Sequence, residues 1–268
     1  MDNKYEDMLN KENYDFNDLL SVMDALLAPG GCAWDRAQTH ESLKRYMIEE
    51  AYETLEAIDA GDKDMLCEEL GDVLLQVVFH ARIAAGFSMG DVLNRVCKKM
   101  ITRHPHVFGA VSANTADEAL MSWENMKRLE KGLDGHASSL KRVPANLPAL
   151  MRAYKVQQKA RDAGFDWDDA GPVLDKLDEE MSELRRAAGS GDAAAVEGEM
   201  GDLLFAAVNA SRLMNVHPEL ALSASTEKFI RRFESMERMI AENGLSMADM
   251  ELSEMDVYWE KVKAEERK

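Results

Sequence analysis

Proline is scarce in this chain, six in 268 residues, and glycine adds only sixteen. Long stretches of Leu, Ala, Met, Glu, Lys and Arg therefore run without interruption, and these are strong helix formers. No segment shows the period-two alternation of β-branched residues that marks a strand. Cysteine is limited to Cys32, Cys67 and Cys97. They form no Cys-x-x-Cys pair, and an odd count argues against a disulfide framework. They are expected to be small buried apolar residues in a reducing compartment. Long apolar runs are absent too. The most apolar stretch, Val73 to Ala85, contains Gln76, His80 and Arg82 and is too short to span a bilayer. Met1 to Asn13 is polar and acidic, without the basic-then-apolar order of a secretory signal. Positive charge is in short supply as well: 32 Lys and Arg face 50 Asp and Glu, a net charge of −18. Such a chain cannot hold a phosphate backbone by bulk charge, so neither nucleic acid nor a membrane is expected as a partner.

What is present is a globular composition, 46% apolar and 31% charged, with length for one large domain or two small ones. The helical reading is specific in places. Leu66, Leu70, Val73, Leu74, Val77 and Val78 follow the spacing of an apolar helix face. The helix before it is expected to begin after Thr39 as N-cap and to stop at Gly61, with Asp62 capping the next helix. A stretch from about Gly132 to Pro148 reads as a linker.

The chain repeats itself. Glu50-x-x-Glu53 recurs as Glu180-x-x-Glu183, Glu69-Leu-Gly-Asp72 as Glu199-Met-Gly-Asp202, Gly61-Asp62 as Gly191-Asp192 and Arg82 as Arg212, all 130 residues on. Lys99 and Arg103 recur as Lys228 and Arg232, Trp123 and Lys127 as Trp259 and Lys263, and Trp34-Asp35 as Trp167-Asp168, at slightly different offsets. The offset holds through the central helix pair and drifts in the loops outside it. Two copies of one helical domain follow, at 1–130 and 149–268, with 131–148 between them. The period is too long for a solenoid.

The repeated residues are carboxylates. Residues three apart share a helix face, so Glu50 with Glu53 and Glu69 with Asp72 project as pairs. The second pair lies beside the apolar stripe, at the edge of the core, where unpaired charge is costly. A short turn at Gly61-Asp62 makes the two helices neighbours, so four carboxylates can converge. Cations make that arrangement stable, and an all-oxygen donor set suits Mg²⁺ or Mn²⁺. Solvated acidic helix faces are the plainer reading for one copy, and the second copy argues against it. Gly71 and Gly201, in mid-helix, are expected to allow close approach of a neighbouring helix. Lys99 with Arg103, and Lys228 with Arg232, form i, i+4 cationic pairs that suit a polyphosphate or, equally, a solvated surface. Trp123 and Trp259 could pack in the core or stack on a base. His80, His104 and His106 have no histidine counterparts and read as structural or surface residues. A ferritin-like di-iron site needs Glu-x-x-His on two helices, and this sequence lacks it.

Together these residues resemble the MazG family of nucleoside triphosphate pyrophosphohydrolases. The resemblance rests on Cys32-Ala-Trp-Asp35, Glu49-Glu-Ala-Tyr-Glu53, Glu69-Leu-Gly-Asp72 and Arg103-His-Pro-His-Val-Phe108. In the second half it rests on Gly164-Phe-Asp-Trp167, Glu179-Glu-Met-Ser-Glu183, Glu199-Met-Gly-Asp-Leu-Leu-Phe205 and Lys228-Phe-Ile-Arg-Arg-Phe233. It covers nearly the whole chain. It implies an all-α fold of two tandem MazG-like domains, each with a four-helix-bundle-like catalytic unit, assembled as a cytoplasmic homodimer. It implies Mg²⁺-dependent hydrolysis of (deoxy)nucleoside triphosphates to monophosphate and pyrophosphate, by attack of metal-activated water at the α-phosphorus. Broad base tolerance and a house-cleaning role follow from it.

Carried over by position, the metal ligands would be Glu50, Glu53, Glu69 and Asp72, then Glu180, Glu183, Glu199 and Asp202. Glu49 or Glu53, and Glu179 or Glu183, would take the water's proton. Lys99, Arg103 and Lys127, with Lys228, Arg232 and Lys263, would meet phosphates, and Trp123 and Trp259 would lie near the nucleotide. The second half departs from the first where Gln76 gives way to Ala206, His80 to Ala210 and Tyr52 to Ser182. The family's two-domain members point to the second domain as the main catalytic one. Two alternatives stay open: an all-α pyrophosphatase specific for dUTP or dCTP, and a non-catalytic adaptor whose acidic faces bind a basic partner.

Overall fold

A computed structural model describes residues 6–130 and 136–266. Among them every regular element is a helix. The chain divides into two compact units, Met1–Gly132 and Leu133–Lys268.

The first unit contains α1 (Glu6–Leu9), α2 (Phe16–Leu27), α3 (Ala33–Arg36), α4 (Lys44–Ala60), α5 (Lys63–Ile83), α6 (Met89–Arg103), α7 (Pro105–Phe108) and α8 (Ala116–Glu130). Helix α5 is central and packs against α2, α4 and α6. Capping residues explain the boundaries. Asp15 and Asp18 form a reciprocal box at the start of α2, and Ser88 and Asp91 form one at α6. The core joins Met23 of α2, Leu43, Val78, Phe79 and Ala81 of α5, and Met89 of α6.

The second unit contains α9 (His136–Lys141), α10 (Ala149–Asp162), α11 (Gly171–Ser190), α12 (Ala193–Leu213), α13 (Pro218–Glu242), a 3₁₀ turn (Met247–Asp249) and α14 (Leu252–Glu265). Here α12 is central, against α10, α11 and α13, and α14 lies on α13. Methionine fills much of the seam between α13 and α14, where Met236, Ile240 and Val262 meet Met239, Met247, Met250 and Met255. Its unbranched, flexible side chain fits irregular gaps of this kind.

Burial repeats with the sequence. Leu43 and Val173, Ala57 and Ala187, Gln76 and Ala206, and Val78 and Val208 are all buried, each pair 130 residues apart.

Several expectations change. Cys67 and Cys97 are exposed, because they lie off the packed faces of their helices, and Cys32, just ahead of α3, is half-buried. Helix α4 starts at Lys44 and not directly after Thr39. Thr39 instead exchanges hydrogen bonds with Ser42, closing a separate turn ahead of the helix. Of the apolar stripe on α5, Val78 is fully buried, but Leu70 and Leu74 are exposed. A Cβ added at Gly71 or Gly201 would meet nothing within 4 Å, so no helix of its own unit presses on either glycine. The stretch 136–148 carries α9, which packs on α10, whereas 131–135 of the expected linker lies outside the described residues.

Candidate active site

Two residues turn the chain between α4 and α5. Gly61 takes the left-handed conformation, φ 68°, that ends a helix. Asp62 accepts hydrogen bonds from the Asp64 and Met65 amides at 3.0 and 3.1 Å and starts the next helix. Gly191, φ 77°, and Asp192 do the same between α11 and α12. These short turns bring Glu50 of α4 beside Glu69 and Asp72 of α5. One carboxylate oxygen from each of the three lies within 4.8 Å of the others, and Glu180, Glu199 and Asp202 form the same triad in the second unit.

Glu53 and Glu183 stand outside these triads. Glu53 adds its charge to Glu50 and Glu69. Glu183 accepts a hydrogen bond from Arg186 at 3.0 Å. Glu49 and Glu179 are exposed.

The two triads differ in how their charge is met. In the first, burial and then the negative charges of Asp72 and Glu53 hold Glu50 above the usual carboxylate range. Burial followed by Glu53 and Asp72 does the same to Glu69. The neighbour offered to Glu50 is the Gln76 amide, with Nε2 3.5 Å from Oε1. In the second triad Glu180 is buried, and Lys176 Nζ donates to its Oε1 at 2.8 Å and to Glu179 Oε1 at 2.9 Å. Those two hydrogen bonds hold the Lys176 ammonium above its usual range.

A recess of about 220 Å³ opens beside Glu50, lined among others by Trp34, Asp35, Leu43, Tyr46 and Gln76. Trp34 meets Tyr46 edge to face, ring centres 5.9 Å apart. Gln76 Oε1 is buried without a hydrogen-bond partner. An aromatic wall, an unpaired acceptor and an adjacent carboxylate cluster suit a flat polar ligand joined to a phosphate chain. The sequence signal for this recess was the Trp34-Asp35 pair. For Lys176 it was the i, i+4 spacing to Glu180.

Each basic residue has surroundings of its own. Lys99 and Lys228 are exposed. The Arg103 guanidinium lies 5.5 Å from the Trp123 ring centre. Arg232 donates to Glu266 Oε2 at 2.8 and 2.6 Å. Lys263 donates to Glu260 at 2.5 Å. No hydrogen bond or ion pair joins Lys99, Lys228, Arg232 or Lys263 to either triad. Trp259 packs beside Phe229, 5.2 Å between ring centres, against the methionine seam. The side chain of Lys127 lies outside the described residues. His80, unmatched in the repeat, pairs with His40 through their Nδ1 atoms at 2.8 Å.

Among the described residues no helix is long and apolar enough to cross a membrane. Segments 38–108 and 172–236 each match the MazG nucleotide pyrophosphohydrolase domain. They enclose both triads. The nucleoside triphosphate pyrophosphohydrolase/pyrophosphatase MazG of Thermotoga maritima is 47% identical over 251 residues, 92% of this chain and 95% of that protein. The nucleoside triphosphate pyrophosphohydrolase of Escherichia coli is 43% identical over 254 residues, 92% and 97% of the two chains. The YabN protein of Bacillus subtilis is 44% identical over 95% of this chain, which spans 53% of that longer protein. With the domain matched twice, the triads built twice and the likeness covering most of its length, the chain belongs to the MazG family as a tandem two-domain member.

Proposed function

We propose that this protein is a divalent-metal-dependent nucleoside triphosphate pyrophosphohydrolase with two MazG-like domains, cleaving (deoxy)nucleoside triphosphates to monophosphate and pyrophosphate. The observation that carries this reading is the three-carboxylate triad, built twice on equivalent helix pairs. Glu50, Glu69 and Asp72 would hold a cation in the first domain, and Glu180, Glu199 and Asp202 in the second. The donor set is all oxygen, and the first triad has no cationic side chain bonded to it among the described residues. Both features fit Mg²⁺ or Mn²⁺. Such an ion, when bound, lowers the pKa of water and offsets charge on phosphate oxygens.

The chain's own residues do the rest. A water oxygen forms a bond to the α-phosphorus, the bond to the bridging αβ oxygen breaks, and pyrophosphate leaves. Glu53 or Glu49 stands one turn or less from Glu50 and accepts the water's proton. Glu183 or Glu179 would serve the second domain. The recess of Trp34, Tyr46 and Gln76 receives the nucleoside, with Gln76 Oε1 as acceptor. Lys99, Arg103, Lys127, Lys228, Arg232 and Lys263 would take phosphate charge, Arg232 and Lys263 after leaving Glu266 and Glu260. Trp123 and Trp259 would lie near the nucleotide.

We also propose a homodimer. Leu70 and Leu74 on α5, and Met200 and Leu204 at the same repeat positions on α12, are exposed. Apolar residues repeated on one open helix face suit burial against a second copy. The acidic chain acts on free cytoplasmic nucleotides in this reading, with broad base tolerance.

The test is product analysis with each common nucleoside triphosphate and Mg²⁺, resolving pyrophosphate from orthophosphate. The aromatic recess favours one second reading, a base-specific pyrophosphatase, and turnover of a single base would select it. Absence of metal binding by both triads would instead leave the acidic adaptor.

A further inference from the structure

The two triads share their carboxylates, and one of the differences around them lies a helical turn upstream. That position is Tyr46 in the first unit and Lys176 in the second, 130 residues apart. Tyr46 offers no ammonium, and its hydroxyl accepts a hydrogen bond from Arg45. Lys176 instead turns into the second triad. Its Nζ lies 2.8 Å from Glu180 Oε1 and 2.9 Å from Glu179 Oε1.

Glu180 is the most buried member of its triad, its side chain 7% exposed, and the lysine covering it is 36% exposed. A buried carboxylate needs a cation or hydrogen-bond donors. Here the chain itself supplies the cation. In the first triad no lysine or arginine among the described residues bridges Glu50, Glu69 or Asp72. Burial and like charge act on those carboxylates with no cation to oppose them.

A divalent ion accepted by Glu180 Oε1 must share that oxygen with an ammonium or displace it. Either course opposes entry. Sharing sets two cations against each other at short range, and displacement breaks an ion pair on a buried oxygen.

Resting on the metal-site reading above, we propose that Lys176 is a tethered counter-cation of the second triad. It stands where a divalent ion takes over the charge, and it raises the metal concentration at which that site fills. The two halves then differ in metal threshold: at the first, carboxylate repulsion favours entry of the ion, and at the second the ion must overcome a resident ammonium. A fall in free divalent ion would empty the second site sooner than an otherwise identical site without the lysine.

The test is Mn²⁺ binding to the full-length chain, followed by the electron-spin signal of free Mn²⁺. The first triad is silenced with Glu50→Gln, Glu69→Gln and Asp72→Asn, and helicity is checked by circular dichroism. In this background Lys176→Gln is expected to lower the dissociation constant about tenfold, and Lys176→Arg to leave it within about twofold. If the silenced chain does not fold, the same shift is read in one phase of the two-site isotherm of the unsilenced chain. Asp202→Asn identifies the phase that belongs to the second triad. An unchanged or weaker constant in Lys176→Gln, while Asp202→Asn still abolishes that phase, overturns the counter-cation and leaves the metal site standing. No Mn²⁺ bound at the second triad, with or without Lys176, overturns the metal-site reading and this proposal with it.

Discussion

Arg212, near the end of α12, closes on Asp166, 46 residues earlier in the chain. Nη1 donates to Oδ2 at 2.9 Å and Nη2 to Oδ1, while Asn209 Oδ1 accepts from the same guanidinium. The pair is nearly enclosed, side chains 5% and 17% exposed. Its counterpart in the first unit, Arg82 with Asp24, is a looser contact with the carboxylate 61% exposed. One repeated arginine therefore serves two different degrees of burial.

Asp166→Asn is expected to cost about 3 kcal/mol of unfolding free energy, because Arg212 is left buried and short of charge. Asp24→Asn is expected to cost less than about 1 kcal/mol. Desolvation pulls the Asp166 pKa upward, and the hydrogen bonds and charge of Arg212 together reverse that, leaving it below the ordinary 3.8. The contribution is therefore complete above pH 3.8 and lost as pH falls through that value toward the folded pKa. Urea unfolding of wild type and Asp166→Asn should show a gap at pH 7 that narrows by pH 3. A gap independent of pH would contradict the assignment.

Nucleotide turnover should divide between the triads. Asp72→Asn and Asp202→Asn each remove one oxygen charge from a set of three and should leave the helices intact by circular dichroism. The double variant should lose pyrophosphate release by at least about 100-fold, the scale expected when a group that acts in the transition state is removed. The single variants assign the remaining rate to one half. Full activity in the double variant would remove the triads from the chemistry.

Metal should stabilise the fold as well as support turnover. A ligand at 100 times its dissociation constant adds about 2.7 kcal/mol. Thermal unfolding with saturating Mg²⁺ should therefore rise by several degrees, return on chelation, and stay flat in a chain carrying Glu50→Gln, Glu69→Gln and their second-half equivalents.

The recess beside Glu50 gives a prediction for recognition. Trp34→Ala removes one aromatic wall and should raise KM for first-domain turnover about tenfold with little change in kcat. The check is steady-state kinetics in a chain whose second triad is silenced. A fall in kcat with KM unchanged would place Trp34 in a different role.

Leu74→Glu and Leu204→Glu test the open helix faces. Light scattering should show a dimer for wild type and monomers for the charged variants, with helicity retained. A dimer that survives both changes would place the contact elsewhere.

Much of this was legible in the residues. The 130-residue offset gave two copies, and the Gly-Asp turn placed the helices of each pair side by side. Three members of each expected quartet meet, because Glu50, Glu69 and Asp72 lie on facing sides of α4 and α5. Glu53 lies outside that group of three, and its side chain still bonds to Glu50 and adds to its charge. The exposure of Leu70 and Leu74 was not legible. A period-3.6 stripe records that a face is apolar and says nothing of what covers it.

The sequence by itself determined what is local or periodic: helices, caps, the tandem repeat and the residue types of the acid clusters. These depend on backbone propensity and spacing within a few turns. Tertiary structure decided what depends on distance across the chain. It set Asp166 against Arg212, opened the Trp34–Gln76 recess beside Glu50 and enclosed Glu180 so that Lys176 bonds to it. The physical reason is that burial and charge pairing arise where separate helices meet, and the order of residues along one helix does not contain them.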